Sequence, residues 1–597
     1  MERTLVGMPA SPGIVMGPVH LLRWEVPDVP HRIIHDDEID AEIERLHAAL
    51  ERARERVRLV RDRAARQAGP EEAAIFEAQL LILEDSDLVH RVESLIRQNL
   101  CAEKAFDLTI LEWRQQFARH ALPMMRERVG DITDVQIRVL SLLMDLPDHD
   151  PVEATRGSNA ILVTHDLTPT LTVQLDRSAI AAIATDAGTR TSHVAILARS
   201  LGMPAVVGLR DAAKQLRGGE SAILDGTAGT LSINPSPGDL DLYRERSRRD
   251  EVMAAELALL ATEEPVTADG VRLVVRANVD LPEEVDQAVA SGADGVGLMR
   301  TEFLVVGRTT MPDEEEQYRA YRRVVESFHG RPVVIRTFDI GGDKYPVGGF
   351  ATEANPFLGW RAIRVSLDAP DLFMPQLRAL LRAAVHGDLR IMLPLVVSVQ
   401  EVHEARELLR AAAAELAARG VPHRVDVPLG VMIETPAAAI AADTFVGSAE
   451  FFSIGTNDLV QYTLAVDRGN ANLAPRFTPL HPSVLRLIRR TLEVGTAHGL
   501  EVTVCGEMAS QPLTAFALIG LGLRQLSVAP RSVGLMKRII RGISASEAAA
   551  AVAEALDART AAAAEELLMR SLTSVVGEVP FLHDGLPSPH RPGNIHD

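Results

Sequence analysis

Cysteine, aromatic residues and long apolar runs are all scarce in this chain of 597 residues. Its two cysteines, Cys101 and Cys505, cannot form the disulfide framework of a small secreted protein. Aromatic side chains make up only 4% of the residues, which gives no sign of stacked bases or of an aromatic cage. No apolar stretch has the length of a membrane span, and the N-terminal segment lacks a basic region followed by a long apolar run. We therefore expect a cytoplasmic protein that does not insert into a membrane.

Positive charge is also in short supply. The chain has 62 Lys and Arg residues against 82 Asp and Glu residues, and its formal net charge is −20. Such a chain repels nucleic acid phosphates and anionic membrane surfaces, so neither is an expected partner. An anionic substrate would need a local cluster of cations. The length predicts about three or four domains.

The first half of the chain predicts an α/β domain that is interrupted by helices. Glycines, prolines and short apolar runs over 1–31 indicate strands and turns. Apolar residues recur at helical spacing over 32–145, as in Ile39, Ile43 and Leu46. Strand patterns return over 146–235. The simplest account is one α/β domain, 1–31 plus 146–235, with a helical domain inserted at 32–145.

A single connecting helix is predicted over 236–262, and this helix and its ends are the hinge candidates between two halves of the chain. Over 263–575, eight strand-like runs alternate with helical segments, which is the count and length of a (β/α)₈ TIM barrel. An open doubly wound sheet is the competing fold. The barrel is favoured because polar residues follow the ends of so many strands. The polar, Pro-rich segment 576–597 is expected to be a flexible tail.

Active sites of such barrels lie at the carboxyl ends of the strands. The polar residues at or just after these ends are Asn278, Arg300, Arg336, Glu434, Asn457, Asp458 and Cys505, with Arg361 and Arg468 in the following loops. Arginine holds phosphate and carboxylate in bidentate geometry, so the set predicts a small, multiply charged anion as ligand.

Three of these residues have two interpretations each. Glu434 and Asp458 end neighbouring strands and together suggest Mg²⁺, although an isolated carboxylate would more often be a counter-ion for arginine. Asn457 could bind a phosphate oxygen or cap a turn. Cys505 could belong to the core, but its place at the barrel mouth favours a role in proton transfer.

A second centre lies in the segment DAGTRTSHVAILARSLGMP, which contains His193. The pattern predicts a turn and then a helix that begins near this histidine. Free N–H groups and the macrodipole favour a bound phosphate at such a position, and neutral imidazole is a competent nucleophile. A buried, hydrogen-bonded histidine is the alternative, and the flanking Gly, Arg, Thr and Ser residues make it the weaker one.

The segments SPGIVMGPV, GLMRTEFL, RTFDIGGDK, NPFLGWRAIR, MIETPAA, SIGTNDLVQYTLAVDRGN and CGEM extend over nearly the whole chain. Together they resemble the Enzyme I family of the phosphoenolpyruvate-dependent sugar phosphotransferase system. The resemblance implies transfer of a phosphoryl group from phosphoenolpyruvate to His193 and then to the phosphocarrier protein HPr, with release of pyruvate. This would be the first step of sugar uptake.

The resemblance also implies roles for individual residues and domains. Arg300, Arg336, Asn457 and Arg468 would hold phosphoenolpyruvate with Arg361 and Lys344 nearby, Glu434 and Asp458 would bind Mg²⁺, and Cys505 would protonate the enolate. Asn278 and Asp458 are added to the substrate site because of their places at the strand ends. The helical segment 32–145 would dock HPr, and the barrel domain would form a homodimer. The segment 1–31 plus 146–235 would be the swivelling phosphohistidine domain.

Two positions depart from the family pattern. Gly188-Thr189 stands where the family usually has Gly-Gly before the active histidine, and threonine tolerates positive φ poorly. Gln79 stands where the family commonly has histidine in the carrier-docking helix.

Two rival functions remain open at this point. A pyruvate phosphate dikinase or phosphoenolpyruvate synthase shares the histidine domain and the barrel, but it needs a large nucleotide-binding domain, and no phosphate-cradling Gly-rich loop is found here. A regulatory binding protein without catalysis is the other rival, and the intact Arg, carboxylate, His and Cys positions argue against it.

Overall fold

The computed structural model describes residues 3–22, 26–67, 70–118, 123–146, 159–167, 179–188, 194, 198, 203–280, 284–305, 311–341, 355–467, 470, 473 and 476–576. The chain divides into two compact units, Met1–Asp250 and Glu251–Asp597. No helix in the described part of the chain is long and apolar enough to cross a membrane. Apart from Val576, the predicted flexible tail lies outside the described residues.

The first unit contains one mixed sheet of eight strands. Its strands are β1 (Arg3–Val6), β2 (Met8–Ser11), β3 (Ile14–Leu22), β4 (Ala160–Thr164), β5 (Ile180–Thr185), β6 (Ala205–Val207), β7 (Ser221–Asp225) and β8 (Thr230–Ile233), in the order β1-β8-β7-β3-β4-β5-β6-β2. β3 pairs in parallel with β4, where Val19 lies opposite Ile161, and antiparallel with β7. Chain segments before and after the helical block therefore share one sheet, which confirms the predicted insertion.

The inserted block consists of five helices, α1 (Ile39–Gln67), α2 (Pro70–Leu83), α3 (Ser86–Ile96), α4 (Ala102–Ala118) and α5 (Pro123–Leu143). α3 begins where the Asp85 carboxylate accepts hydrogen bonds from two free backbone N–H groups of the first turn. Leu46 and Leu50 of α1 and Phe106 of α4 are buried in a core that these helices form together with a few residues of the adjoining loops, such as Ile34 and Cys101. The predicted helical periodicity is confirmed.

The described residues of this part of the chain also form α6 (Ala212–Gln215), between β6 and β7, and α7 (Pro237–Leu259), after β8. A 3-10 turn over Leu260–Thr262 continues α7, within the range predicted for the connecting helix. Ser236 and Asp239 cap its N-terminus, because the serine hydroxyl accepts from the Asp239 N–H at 3.2 Å and donates to its carboxylate.

The second unit contains a closed barrel of eight parallel strands. These are β9 (Val274–Val279), β10 (Val296–Met299), β11 (Val333–Arg336), β12 (Leu389–Leu393), β13 (Leu429–Ile433), β14 (Phe451–Ile454), β15 (Glu501–Val504) and β16 (Gln525–Val528). β16 closes the barrel by pairing with β9, with Leu526 opposite Val275. The closure confirms the TIM barrel and excludes the open doubly wound sheet.

Twelve helices lie between or after the barrel strands in the residues that the structure describes. They are α8 (Val285–Ala290), α9 (Glu314–Ser327), α10 (Ile363–Asp368), α11 (Pro370–Ala383), α12 (Val399–Ala418), α13 (Pro436–Ile440), α14 (Thr456–Leu464), α15 (Pro482–His498), α16 (Pro512–Gly520), α17 (Val533–Gly542), α18 (Ala545–Asp557) and α19 (Ala561–Val576). Alternate strand residues serve different cores, as the period of two requires. In β11, Val333 and Ile335 join the large core of strands and helices, whereas Val334 joins a small separate cluster with Met432 and Cys505.

Candidate active site at the barrel mouth

The described site candidates lie at the carboxyl side of the barrel strands, as predicted. Asn278, Arg300, Arg336, Arg361, Glu434, Asn457, Asp458 and Cys505 all fall within strand ends or the loops and first helical turns that follow them. His193, Lys344 and Arg468 lie outside the described residues. The barrel thus brings together residues that are far apart in the chain. Asn278, for example, donates a hydrogen bond at 3.1 Å to the carbonyl oxygen of Cys505, which is 227 positions further along the chain.

Arg300 follows β10 and lies at the more open part of the mouth, with 35% of its side chain exposed. One of its terminal nitrogens donates to both carboxylate oxygens of Asp280, at 2.6 and 2.7 Å. Asp280 is itself half exposed. The contact is therefore an ion pair that water reaches, and an anionic ligand can compete for it.

Arg336 ends β11 and is almost fully buried. Its guanidinium donates to Glu302 Oε1 at 2.9 Å, and it lies 3.5 Å from Asp339. Glu302 Oε1 also accepts from the Asp339 N–H at 2.8 Å, whereas Glu302 Oε2 is buried without a hydrogen-bond partner. One carboxylate thus orients Arg336 and the backbone of the loop that follows it.

Arg361 is the largest fully buried side chain in the described part of the chain. It donates twice to Asp339, at 3.0 and 2.8 Å, in the bidentate geometry that suits a planar guanidinium. Its remaining terminal nitrogen donates to the Tyr462 hydroxyl at 3.3 Å and lies 3.6 Å from Asp458. Arg361 therefore joins the arginine group to the carboxylate pair.

Glu434 and Asp458 form that carboxylate pair. Glu434 Oε1 accepts from the Leu395 N–H at 2.6 Å, and burial, followed by the charge of Asp458, raises the pKa of Glu434. Asp458 Oδ1 is buried and has no hydrogen-bond partner. A divalent cation would satisfy this oxygen and would also reduce the repulsion between the two neighbouring carboxylates. No group of three or more His, Cys, Asp or Glu residues in the described ranges could hold a metal, so water and substrate would complete the shell.

Cys505 follows β15 and is 2% exposed, with its thiol 3.7 Å from the Ile454 carbonyl oxygen. Burial raises the pKa of the thiol, so the protonated form persists at neutral pH. Asn278 supports this position, because its amide donates to the Cys505 carbonyl and its oxygen accepts from the Ser527 hydroxyl at 2.6 Å. Gly506 is also required there, since a Cβ atom would lie 1.8 Å from Thr456 Oγ1.

Asn457 lies in the first turn of α14 and is half-buried. Its amide donates to Glu507 Oε1 at 3.3 Å, and its oxygen accepts from the Glu507 N–H at 3.1 Å. The side chain therefore links the loops after β14 and β15, which brings α14 next to the loop that carries Cys505.

The two departures from the family pattern have different structural settings. Gly188 has a φ of +103°, so the glycine takes the left-handed region, and Thr189 lies outside the described residues. Gln79 is fully buried in α2 and donates to Asp134 of α5 at 3.2 Å. It therefore joins two helices of the insertion and presents no surface to a partner.

Three partners of the arginines, Asp280, Glu302 and Asp339, were missed by sequence reasoning. Each lies near a strand end, and Glu302 and Asp339 also lie within the motifs MRTEF and RTFDIGG. The position near a strand end is the feature of the sequence that could have identified them, because a carboxylate at an arginine-rich barrel mouth is expected to pair with an arginine.

The chain matches three domain families of the PEP-utilising enzymes: the N-terminal domain over residues 6–128, the mobile domain over 157–229 and the PEP-binding domain over 254–545. His193 falls within the mobile domain, and the barrel residues described above fall within the PEP-binding domain.

Full-length relatives agree with these matches. The chain is 41% identical to the phosphoenolpyruvate-protein phosphotransferase of Geobacillus stearothermophilus over 550 residues, which are 92% of this chain and 94% of the relative. It is 39% identical to the proteins of the same name from Listeria monocytogenes, over 95% of this chain and 99% of the relative, and from Haemophilus influenzae, over 94% and 98%. The chain therefore belongs to the phosphoenolpyruvate-protein phosphotransferase family of PEP-utilising enzymes.

Proposed function

We propose that this chain transfers the phosphoryl group of phosphoenolpyruvate to its own His193 and then to an HPr-type phosphocarrier protein, with release of pyruvate. The transfer is the first step of sugar uptake by the phosphotransferase system. The observation that carries the proposal is the barrel mouth, where Arg336 and Arg361 lie buried beside Glu434 and Asp458. Similarity to named phosphotransferases over nearly the full length supports transfer to a protein over the dikinase and binding-protein alternatives.

The arginines hold the substrate anion. Arg336 and Arg361 are oriented in advance by Glu302 and Asp339, so they lose little conformational entropy when phosphoenolpyruvate binds. Arg300 is the most exposed of the three arginines, and phosphoenolpyruvate takes the place of Asp280 as its partner. The resemblance implies further substrate contacts from Lys344, Asn457 and Arg468, and the strand ends add Asn278 and Asp458.

Glu434 and Asp458 are the residues that would hold Mg²⁺. A bound dication neutralises charge on the phosphoryl group and on the leaving enolate. The two carboxylates, at the ends of neighbouring strands, would supply its protein ligands, and Arg361 lies 3.6 Å from Asp458.

The chemical step forms a bond between an imidazole nitrogen of His193 and phosphorus while the phosphorus–oxygen bond of phosphoenolpyruvate breaks. The electron pair of that bond remains on the enolate oxygen, close to the buried arginines. Cys505 then donates its thiol proton to the methylene carbon, which gives pyruvate. The raised pKa of the thiol keeps this proton in place at neutral pH.

The domains divide this work. We assign 1–31 plus 146–235 to the phosphohistidine domain, 32–145 to carrier docking, 236–262 to the linker and 263–575 to the barrel and to homodimer formation. His193 must reach both the barrel mouth and the carrier, which requires movement of its domain. Because Gln79 is buried, it acts on carrier docking through the packing of α2 against α5 and makes no direct contact.

The test uses phosphoenolpyruvate with a labelled phosphoryl group, Mg²⁺ and the full chain, with and without candidate HPr proteins. We expect label on the wild-type chain, transfer of that label to the cognate carrier, and no label on His193→Ala with a barrel that still folds. Label retained by His193→Ala would contradict the assignment of the nucleophile. ATP-dependent phosphorylation of pyruvate would restore the dikinase alternative.

A further inference from the structure

Two backbone groups of the loop after β11 bind buried side chains from other parts of the barrel domain. The Arg336 carbonyl oxygen accepts from the Thr301 hydroxyl at 3.0 Å. Two residues further on, the Phe338 N–H donates to Gln376 Oε1 of α11 at 3.1 Å. The side chains of Arg336 and Asp339, which belong to the barrel mouth, leave the chain on either side of this second contact. A small shift of the backbone at this contact would therefore move both.

Gln376 extends this contact to side chains deeper in the domain. Its Nε2 donates to the Tyr321 hydroxyl of α9 at 3.1 Å and, more weakly, to Thr301 Oγ1 at 3.4 Å. The Tyr321 hydroxyl in turn donates to Gln317 Oε1 at 3.1 Å, and Gln317 Nε2 donates to the Pro312 carbonyl oxygen at 2.9 Å. A chain of hydrogen bonds thus runs from the barrel mouth through α11 to the start of α9.

All donors of this chain point in the same direction. Tyr321 gives its one hydroxyl proton to Gln317, so its oxygen accepts from Gln376. The carbonyl oxygen of the Gln376 amide then accepts from the Phe338 N–H. Burial raises the pKa of Tyr321, so the hydroxyl keeps its proton at neutral pH. With one direction throughout, each bond polarises the next, and the Gln376 amide has a single orientation that satisfies its neighbours.

The chain is also completely buried, which argues against packing as its only role. Thr301, Gln317, Tyr321 and Gln376 are each no more than 1% exposed. A polar group is costly to bury unless it is hydrogen-bonded, and hydrophobic side chains of similar size fill a core without this cost. The polar side chains therefore indicate that the loop at the end of the chain has to be held in one place.

We propose that Gln376 is a positioning residue for phosphoenolpyruvate: by fixing the Phe338 N–H, it holds the loop after β11 in the form that binds the substrate. A shift of this loop would move Arg336 directly, and it would move Arg361 through Asp339. The hydrogen bonds of Gln376 go to the loop backbone and to two hydroxyls, so its effect on the substrate passes through the backbone. This role rests on the proposed function, because it concerns the site that phosphoenolpyruvate would occupy.

The first experiment measures amide hydrogen exchange of the full-length chain without substrate. In Gln376→Met, which keeps the length of the side chain and removes both polar ends, the Phe338 amide should exchange at least about tenfold faster than in the wild-type chain. Leu380→Met, a control one turn further along α11 that is also fully buried, should change this exchange less than about twofold. Unchanged exchange at Phe338 in Gln376→Met, or an equal acceleration of the β14 amides, would overturn the assignment.

The second experiment uses the two half-reactions of the proposed function. Gln376→Met should raise KM for phosphoenolpyruvate at least about fivefold in the phosphorylation of His193, because the displaced loop binds the substrate less well. Transfer from a phosphorylated carrier to His193 does not involve the barrel and should change less than about twofold, and Leu380→Met should match the wild-type chain in both. A lower kcat with an unchanged KM would reflect a smaller folded fraction and would overturn the positioning role.

Tyr321→Phe is the second variant, for the case that Gln376→Met does not fold. It removes one oxygen atom and leaves Gln376 Nε2 with Thr301 Oγ1 as its acceptor. We expect KM for phosphoenolpyruvate to rise about twofold or more, and an unchanged KM would overturn the role of the chain of hydrogen bonds. Failure of the proposed function is seen separately, because the wild-type chain would then take no label from phosphoenolpyruvate while the exchange of the Phe338 amide would still report on Gln376.

Discussion

Replacing Asp339 by Asn should cost the barrel about 3 kcal/mol of unfolding free energy. The side chain is 1% exposed and accepts two charge-assisted hydrogen bonds from Arg361, which is 2% exposed. Breaking a buried pair by neutralising one partner typically costs about 3–5 kcal/mol, because the other charge stays buried without compensation. The lower end applies here, since Asp458 remains 3.6 Å from Arg361 and supplies part of the missing charge.

The measurement is hydrogen exchange of the most protected barrel amides in β11 and β13, because a chain of several domains does not unfold in one transition. The control is Glu407→Gln, which removes an ion pair with Arg410 whose side chains are 71% and 64% exposed and should cost less than about 0.5 kcal/mol. If Asp339→Asn lowers the free energy of unfolding no more than the control does, then Arg361 is not held in a buried site that depends on Asp339 for its charge balance.

Three further predictions concern the substrate site. Asp280→Asn should lower KM for phosphoenolpyruvate by up to about fivefold with little change in kcat, because an exposed pair of this kind is worth about 0.2–1 kcal/mol and competes with substrate for Arg300; a raised KM would contradict this. Cys505→Ala should still allow phosphorylation of His193 but should slow enolate protonation. In the wild-type chain the rate of enolate protonation should stay constant with pH up to about 8.5, because burial raises the pKa of the thiol above its ordinary value. Asp458→Asn should raise the Mg²⁺ concentration needed for half-maximal activity at least about tenfold, as titration of activity with the metal would show, and an unchanged metal requirement would exclude the residue as a ligand.

The fold could be predicted from the sequence because its signals are local and repeated. Several barrel strands are short apolar runs that end in or precede a polar residue, as in VVIR before Thr337 and LGVMI before Glu434, and such runs alternate with helical segments. The carboxylates that pair with the arginines could not be predicted in the same way. Asp280 and Arg300 are 20 residues apart and belong to different loops, so only the parallel pairing of β9 with β10 shows that they meet.

Gln79 and Asn278 illustrate the same limit. The family pattern places Gln79 in the helix that is expected to dock the carrier. The structure buries this side chain against Asp134, because the face of α2 that packs on α5 is set by tertiary contacts. Asn278 was placed in the substrate site by its strand end alone. The structure shows that its amide is engaged with the Cys505 carbonyl and the Ser527 hydroxyl, partners from two other strands.

The charge balance of the mouth changes the argument for a metal. The sequence suggested a cluster of arginines that would attract an anion by itself. The described mouth contains three arginines, Arg300, Arg336 and Arg361, and five carboxylates, Asp280, Glu302, Asp339, Glu434 and Asp458. Within the described residues, therefore, each arginine of the mouth has a carboxylate nearby.

Arginines that are already paired with carboxylates attract phosphoenolpyruvate less strongly by charge. A divalent cation bound with the ligand would add positive charge, and Asp458 Oδ1 beside Glu434 is a buried carboxylate oxygen without a hydrogen-bond partner. We therefore expect phosphoenolpyruvate and Mg²⁺ to bind cooperatively, each tightening the other by the same factor in calorimetric titrations. Phosphoenolpyruvate that binds as tightly without Mg²⁺ as with it would show that the arginines are released from their carboxylates by some other means.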